Sequence, residues 1–169
     1  MKPLILLNFK NYSQTQGPKA LILARKISQV KTRKFILAVA PNELDLEEVV
    51  KAKIPVFAQH VDPILSGPYT GKISLQELKK LGVKGTILNH SERKLSLPVI
   101  AATINLCRQH KFTTIVCTST LNETKMIIRL KPDYLAYEPA ALIGGNISVT
   151  TAKPNILLDV IKTVKKISP

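Results

Sequence analysis

Long apolar runs are missing from this 169-residue chain, acidic residues are few, and aromatic residues and cysteines are scarce. No uninterrupted hydrophobic stretch approaches the roughly 18 residues that span a bilayer. Met1-Lys2-Pro3 leads straight into a short strand-like run and not into a signal sequence. The expectation is a soluble, cytoplasmic protein with no membrane partner. The two cysteines, Cys107 and Cys117, lack the close spacing of a metal knuckle or a redox motif, so both read as reduced, buried thiols and no metal site is expected. Aspartate and glutamate number 11 against 25 lysines and arginines, a formal charge of +14. Such a balance brings a phosphate metabolite, a nucleic acid or an anionic lipid into consideration. No aromatic platform and no groove-reading motif accompanies the charge, which argues against a nucleic-acid partner.

The placement of the cations carries more information than their number. Lys31, Arg33 and Lys34, then Lys51 and Lys53, then Lys79, Lys80 and Lys84, then Lys162, Lys165 and Lys166 fall at or just beyond the ends of predicted helices. Cations there complement the helix dipole. In a fold whose helices all run the same way, these ends form a solvated basic ring on the face opposite the carboxyl ends of the strands.

At 45% apolar the chain is long enough for one substantial core, and residues 1–169 read as a single domain without internal repeats or linkers. Short strand-like runs alternate with stretches of helical period, which predicts a parallel sheet with crossover helices. Six strands are expected: Leu4 to Asn8, Phe35 to Ala40, Pro55 to Gln59, Thr86 to Asn89, Thr114 to Cys117 and Tyr134 to Tyr137. Most are so continuously apolar that they should be buried on both sides. Ser74-x-x-Glu77 and Thr120-x-x-Glu123 have the spacing of capping boxes, and Pro18, Pro98 and Pro154 lie where a first helical turn accepts proline. The last helix should pack through a stripe of Ile156, Leu157, Val160, Ile161 and Val164. Two connections, His60 to about Thr70 and Pro139 to about Thr151, exceed the usual length, and both follow strand ends.

Three of the predicted strands run directly into reactive side chains. Leu4 to Leu7 ends in Asn8-Phe9-Lys10, Thr86 to Leu88 in Asn89-His90-Ser91-Glu92-Arg93, and Tyr134 to Tyr137 in Glu138-Pro139. The carboxyl edge of a parallel sheet is where α/β proteins place their chemistry. A carboxylate facing a neutral imidazole can move a proton next to a carbonyl, the carboxylate taking the proton while the imidazole polarises the oxygen. Glu138 and His90 fit those roles, and Lys10 supplies fixed positive charge for an enediolate and a phosphate. Any one of the three alone reads more readily as an ordinary surface or core residue; all three in phase with strand ends do not.

The motifs around these residues resemble the triosephosphate isomerase family, particularly its archaeal branch. The resemblance runs through Asn8-Phe9-Lys10, Ala58-Gln59-His60-Val61-Asp62-Pro63, Ser66-Gly67-Pro68-Tyr69-Thr70-Gly71, Leu81 to Glu92, Tyr137-Glu138-Pro139, Leu142-Ile143-Gly144 and Ala152-Lys153-Pro154, in the family's order. It implies an α/β fold, the (β/α)8 TIM barrel, with about six of the eight units in this chain and the domain incomplete at its C-terminal side. It also implies interconversion of dihydroxyacetone phosphate and glyceraldehyde 3-phosphate without cofactor or metal.

On that resemblance the catalytic residues are His90 as electrophile, Glu138 as base, Lys10 as electrostatic clamp and Glu92 nearby in the site. Asn8, Lys10, Ile143 and the backbone amide of Gly144 would bind substrate, and Pro139 to Asn146 would form the lid that excludes water from the enediolate. The family is itself the standard example of an active-site imidazole kept neutral, so that expectation comes with the resemblance. The segment around Thr70 corresponds to a loop that reaches into a neighbouring subunit, implying a homo-oligomer, dimer or tetramer. Two other readings stay open at this point: a catalytically silent relative kept as a structural or interaction protein, and a basic nucleic-acid-associated protein.

Overall fold

Among the described residues, the computed structural model pairs strands in parallel, each with its successor in the chain. The structure describes residues 2–139 and 154–167, and they fall into two compact units, 1–86 and 87–169. In the first unit β1 (Leu4–Asn8) pairs along its whole length with β2 (Ile36–Ala40), from Leu4 opposite Ile36 to Asn8 opposite Ala40. A single bridge from Val39 to Val56 continues the order toward β3 (Phe57–Ala58). Phe57 and Ala58 then pair with Gly85 and Thr86, the start of β4 (Gly85–Leu88). In the second unit β5 (Thr113–Thr118) pairs with β6 (Tyr134–Tyr137). Successive pairing without reversal is the winding of a β/α barrel, whereas a doubly wound sheet reverses its order at a switch point.

The connecting helices are α1 (Pro18–Ser28), α2 (Leu46–Val49), α3 (Leu75–Lys80), α4 (Leu97–Gln109), α5 (Leu121–Ile128) and α6 (Pro154–Ile167). The buried residues of α4, Ile100, Thr103, Ile104 and Cys107, recur at helical spacing on the face that meets β5. α5 buries Thr124, Ile127 and Ile128 and packs on β5, β6 and α6. Pro18 and Pro154 open their helices and Pro98 lies in the first turn of α4, positions where a missing N–H costs nothing. The two cysteines are free and buried.

The structure corrects several sequence expectations. β4 begins at Gly85 and stops at Leu88, because Asn89 takes a left-handed conformation, φ 56°, that no strand continues. β3 shrinks from Pro55–Gln59 to two residues, β2 starts at Ile36 and not Phe35, and β5 gains Thr113 and Thr118. Burial on both faces holds for β4 and most of β5, but not for β1 and β6. Among the described residues those two strands each have a hydrogen-bonded neighbour on one side only, and Ile5 is 43% exposed. On α6 Val160 is buried, but Ile161 is 49% exposed and lies off the packed stripe. The cations assigned to helix ends, from Lys31 to Lys166, are individually exposed. No helix among the described residues is long and apolar enough to cross a membrane.

Candidate active site

The imidazole of His90 lies between two carboxylates in the second unit. Its Nε2 faces Glu138 Oε1 at 3.5 Å, and its Nδ1 stands 3.4 Å from Glu92 Oε2. His90 and Glu138 are mostly shielded from solvent, while Glu92 is more than half exposed. The backbone N–H of Glu92 donates to His90 Nδ1 at 3.2 Å. An amide hydrogen directed at Nδ1 requires a lone pair there, so the ring proton resides on Nε2, the nitrogen that faces Glu138.

Local backbone chemistry explains both placements. β4 delivers the chain to Asn89, a residue type that tolerates the left-handed region, and the turn that follows is closed by Arg93 N–H donating to His90 O at 2.8 Å. Glu138 directly follows β6, and its N–H donates to Thr118 O at 2.7 Å, carrying the β5–β6 ladder one residue further. Oε2 of Glu138 and Oγ of Ser91 are buried without a hydrogen-bond partner among the described residues. The thiol of Cys117 lies close by: burial first, then the Glu138 carboxylate, pushes that thiol far above its usual range.

Asn8 and Lys10 are fixed within the first unit. Asn8 Oδ1 accepts the Lys10 N–H at 3.0 Å, and Lys10, two residues beyond the end of β1, takes a left-handed φ of 49°. Gln59 Nε2 donates to Lys10 O and Ala40 O, each at 3.1 Å, tying this turn to β2. Lys10 Nζ sits 5.9 Å from the centre of the Tyr12 ring. The loop after β3 is held by Asp62, whose carboxylate accepts from Ile73 N–H at 2.8 Å and Lys72 Nζ at 3.1 Å. Burial acts to raise the Asp62 carboxyl, but the Ile73 amide, Lys72 and His60 more than offset it and hold it below its usual value.

Sequence reasoning thus identified three groups that meet in the second unit, His90, Glu92 and Glu138, and two at the end of β1, Asn8 and Lys10. Ile143, Gly144 and the lid from 140 onward lie outside the described residues. No cluster of three or more metal-ligating side chains occurs among the described residues. Sequence reasoning missed Asn89, Lys94 and Glu123. Asn89 Nδ2 donates to Cys117 O at 2.8 Å and to Glu123 Oε1 at 2.7 Å, and Lys94 Nζ reaches the same Oε1 at 2.7 Å. The signal at Glu123 was read as a capping box, and half of that box forms: Glu123 N–H donates to Thr120 Oγ1. Its carboxylate turns instead to the Ser119 amide and to the loop after β4. Ser74 likewise caps α3, while Glu77 pairs with Lys80.

Parallel strands paired in chain order, with an imidazole in the turn after β4 and a carboxylate directly after β6, define a barrel-class α/β protein with equipment for proton transfer. The family model described as triosephosphate isomerase matches residues 3–168, nearly the whole chain. The chain belongs to the triosephosphate isomerase family. It is 40% identical over 167 residues to the triosephosphate isomerase of Methanocaldococcus jannaschii, covering 98% of this chain and 76% of that relative. It is 38% identical over 170 residues to that of Methanothermus fervidus, with 99% and 77% covered, and 37% identical over 168 residues to that of Methanobrevibacter smithii, with 98% and 76% covered.

Proposed function

We propose that this chain interconverts dihydroxyacetone phosphate and D-glyceraldehyde 3-phosphate, with Glu138 as the base and His90 as the electrophile. The carboxylate of Glu138 removes a proton from the hydroxymethyl carbon of dihydroxyacetone phosphate. The C–H electron pair forms the carbon–carbon double bond of an enediolate, and the former carbonyl oxygen takes the charge. Nε2–H of His90 donates to that oxygen, stabilising the charge as it develops. Glu138 then returns the proton to the neighbouring carbon, and transfer of the hydroxyl proton completes the aldose. Lys10 supplies positive charge to the enediolate and the phosphate, Glu92 lies beside the imidazole, and Asn8, Ile143 and the amide of Gly144 bind substrate. Residues 1–169 act as one domain of the barrel class.

The reading is supported most strongly by the Glu92 amide at His90 Nδ1, because it leaves Nε2–H, and not a lone pair, opposite the carboxylate. Loss of the base in Glu138→Gln should lower kcat for glyceraldehyde 3-phosphate at least a thousandfold, within the range of general-base contributions of about 10²–10⁴. A coupled assay of the chain and the variant tests this, and equal rates in both would overturn the assignment. The proposal extends to a cytoplasmic homo-oligomer, dimer or tetramer, assembled through the segment around Thr70; light scattering reads the oligomeric state directly.

A further inference from the structure

We infer that Glu123, on α5, is a positioning residue for His90, acting through Asn89 and Lys94 at the two ends of the loop that carries the imidazole. The inference rests on the catalytic reading of His90. That loop hangs from Asn89 and closes on it, since Leu95 N–H donates to Asn89 Oδ1 at 2.9 Å. Asn89 is 2% exposed, and both hydrogens of its amide are committed, one to Cys117 O and one to Glu123 Oε1.

The direction in which that amide faces is a choice the loop depends on. Turned over, it would present an NH2 group to the Leu95 N–H and an oxygen to Cys117 O, and the closure would fail. A carboxylate can only accept, so Glu123 admits the NH2 side alone and selects the orientation that closes the loop. Lys94, one residue before the closure, is drawn to the same oxygen, so one carboxylate oxygen holds both ends of the segment containing His90 and Glu92. The other oxygen is fixed by the Ser119 amide at 2.7 Å and hydroxyl at 2.9 Å, which orients the carboxylate against the turn opening α5. Burial acts to raise the Glu123 carboxyl, but Lys94, Ser119 and Asn89 more than offset it, so it remains an ionised acceptor.

A purely structural alternative has Glu123 serving only the start of α5. The two roles separate in the full chain by comparing Glu123→Gln, Lys94→Met and Ser119→Ala, each measured for melting temperature, kcat, KM and the ring-nitrogen NMR signals of His90. Expected for Glu123→Gln are a kcat lower by about tenfold or more with KM within twofold, and a His90 signal that is a mixture of ring tautomers, as a small displacement of an aligned group costs rate and not binding. Lys94→Met should move kcat and the ring signals the same way by a smaller factor. Ser119→Ala should lower the melting temperature alone. A folded Glu123→Gln with kcat and ring signals unchanged overturns the inference; if that variant does not fold, an unchanged Lys94→Met does so. The ring signals decide the matter even if the chain shows no isomerase activity, so this inference and the proposed function fail separately.

Discussion

Removing the Glu123 charge should make the stability of the chain less dependent on pH, by an amount the structure fixes. Burial works against ionisation of this carboxyl, yet Lys94, Ser119 and Asn89 hold it at about 2, against an ordinary 4.5. At about 1.4 kcal/mol per unit the ceiling is about 3.5 kcal/mol. Lys94 is 43% exposed, so solvent screens that interaction, and a discount of slightly more than twofold leaves about 1.5 kcal/mol. Because the folded value lies below the unfolded one, this stabilisation is complete above about pH 4.5 and is lost as pH falls toward 2. By about pH 3 more than half is gone, about 1 kcal/mol. Denaturant unfolding of the parent chain and Glu123→Gln should show a gap of about 1.5 kcal/mol near pH 6.5, closing to about 0.5 kcal/mol near pH 3. Self-repulsion from the net charge of +14 grows in both proteins on acidification, so the difference isolates Glu123. A gap that stays constant between the two pH values refutes the reasoning.

Two further outcomes follow from burial. Burial first, and then the charge of Asp133, pushes the Cys107 thiol up to about 12, and Cys117 is also raised. A chromogenic disulfide reagent near pH 8 should therefore find both thiols inert in the folded chain and reactive after denaturation, and rapid labelling of the folded chain would contradict this. Ile104, 2% exposed on the face of α4 that meets β5, should cost about 2–5 kcal/mol when cut to alanine, read from the denaturant midpoint. A loss below about 0.5 kcal/mol would mean that this face is not packed as described.

Much of the fold was readable because its causes are local. The runs at β1 and β6 match the observed strands to the residue, since an apolar stretch bounded by turn residues is both the cause of a strand and its sequence signature. Pro18 and Pro154 mark helix starts for an equally local reason. β3 was overestimated because Pro55 to Gln59 has the right composition, but beyond the single bridge at Val56 a continuous ladder forms at Phe57 and Ala58 alone among the described residues. Ile161 was assigned to a buried stripe by spacing alone, and exposure depends on what covers the position, not on its period.

The amino-acid sequence by itself determined that Asn8 closes a strand and that Lys10, His90, Glu92 and Glu138 follow strand ends, because β-strands and their terminations are set within a few residues. Only the tertiary structure decided that Nε2 of His90 faces Glu138, that the Glu92 amide selects the ring tautomer, and that Glu123 is more than a helix cap. Those outcomes depend on hydrogen-bond directions, which a residue's identity permits in several ways. Asn89 and Glu123 are 34 positions apart, and packing of α5 beside the end of β4 makes one direction the stable one.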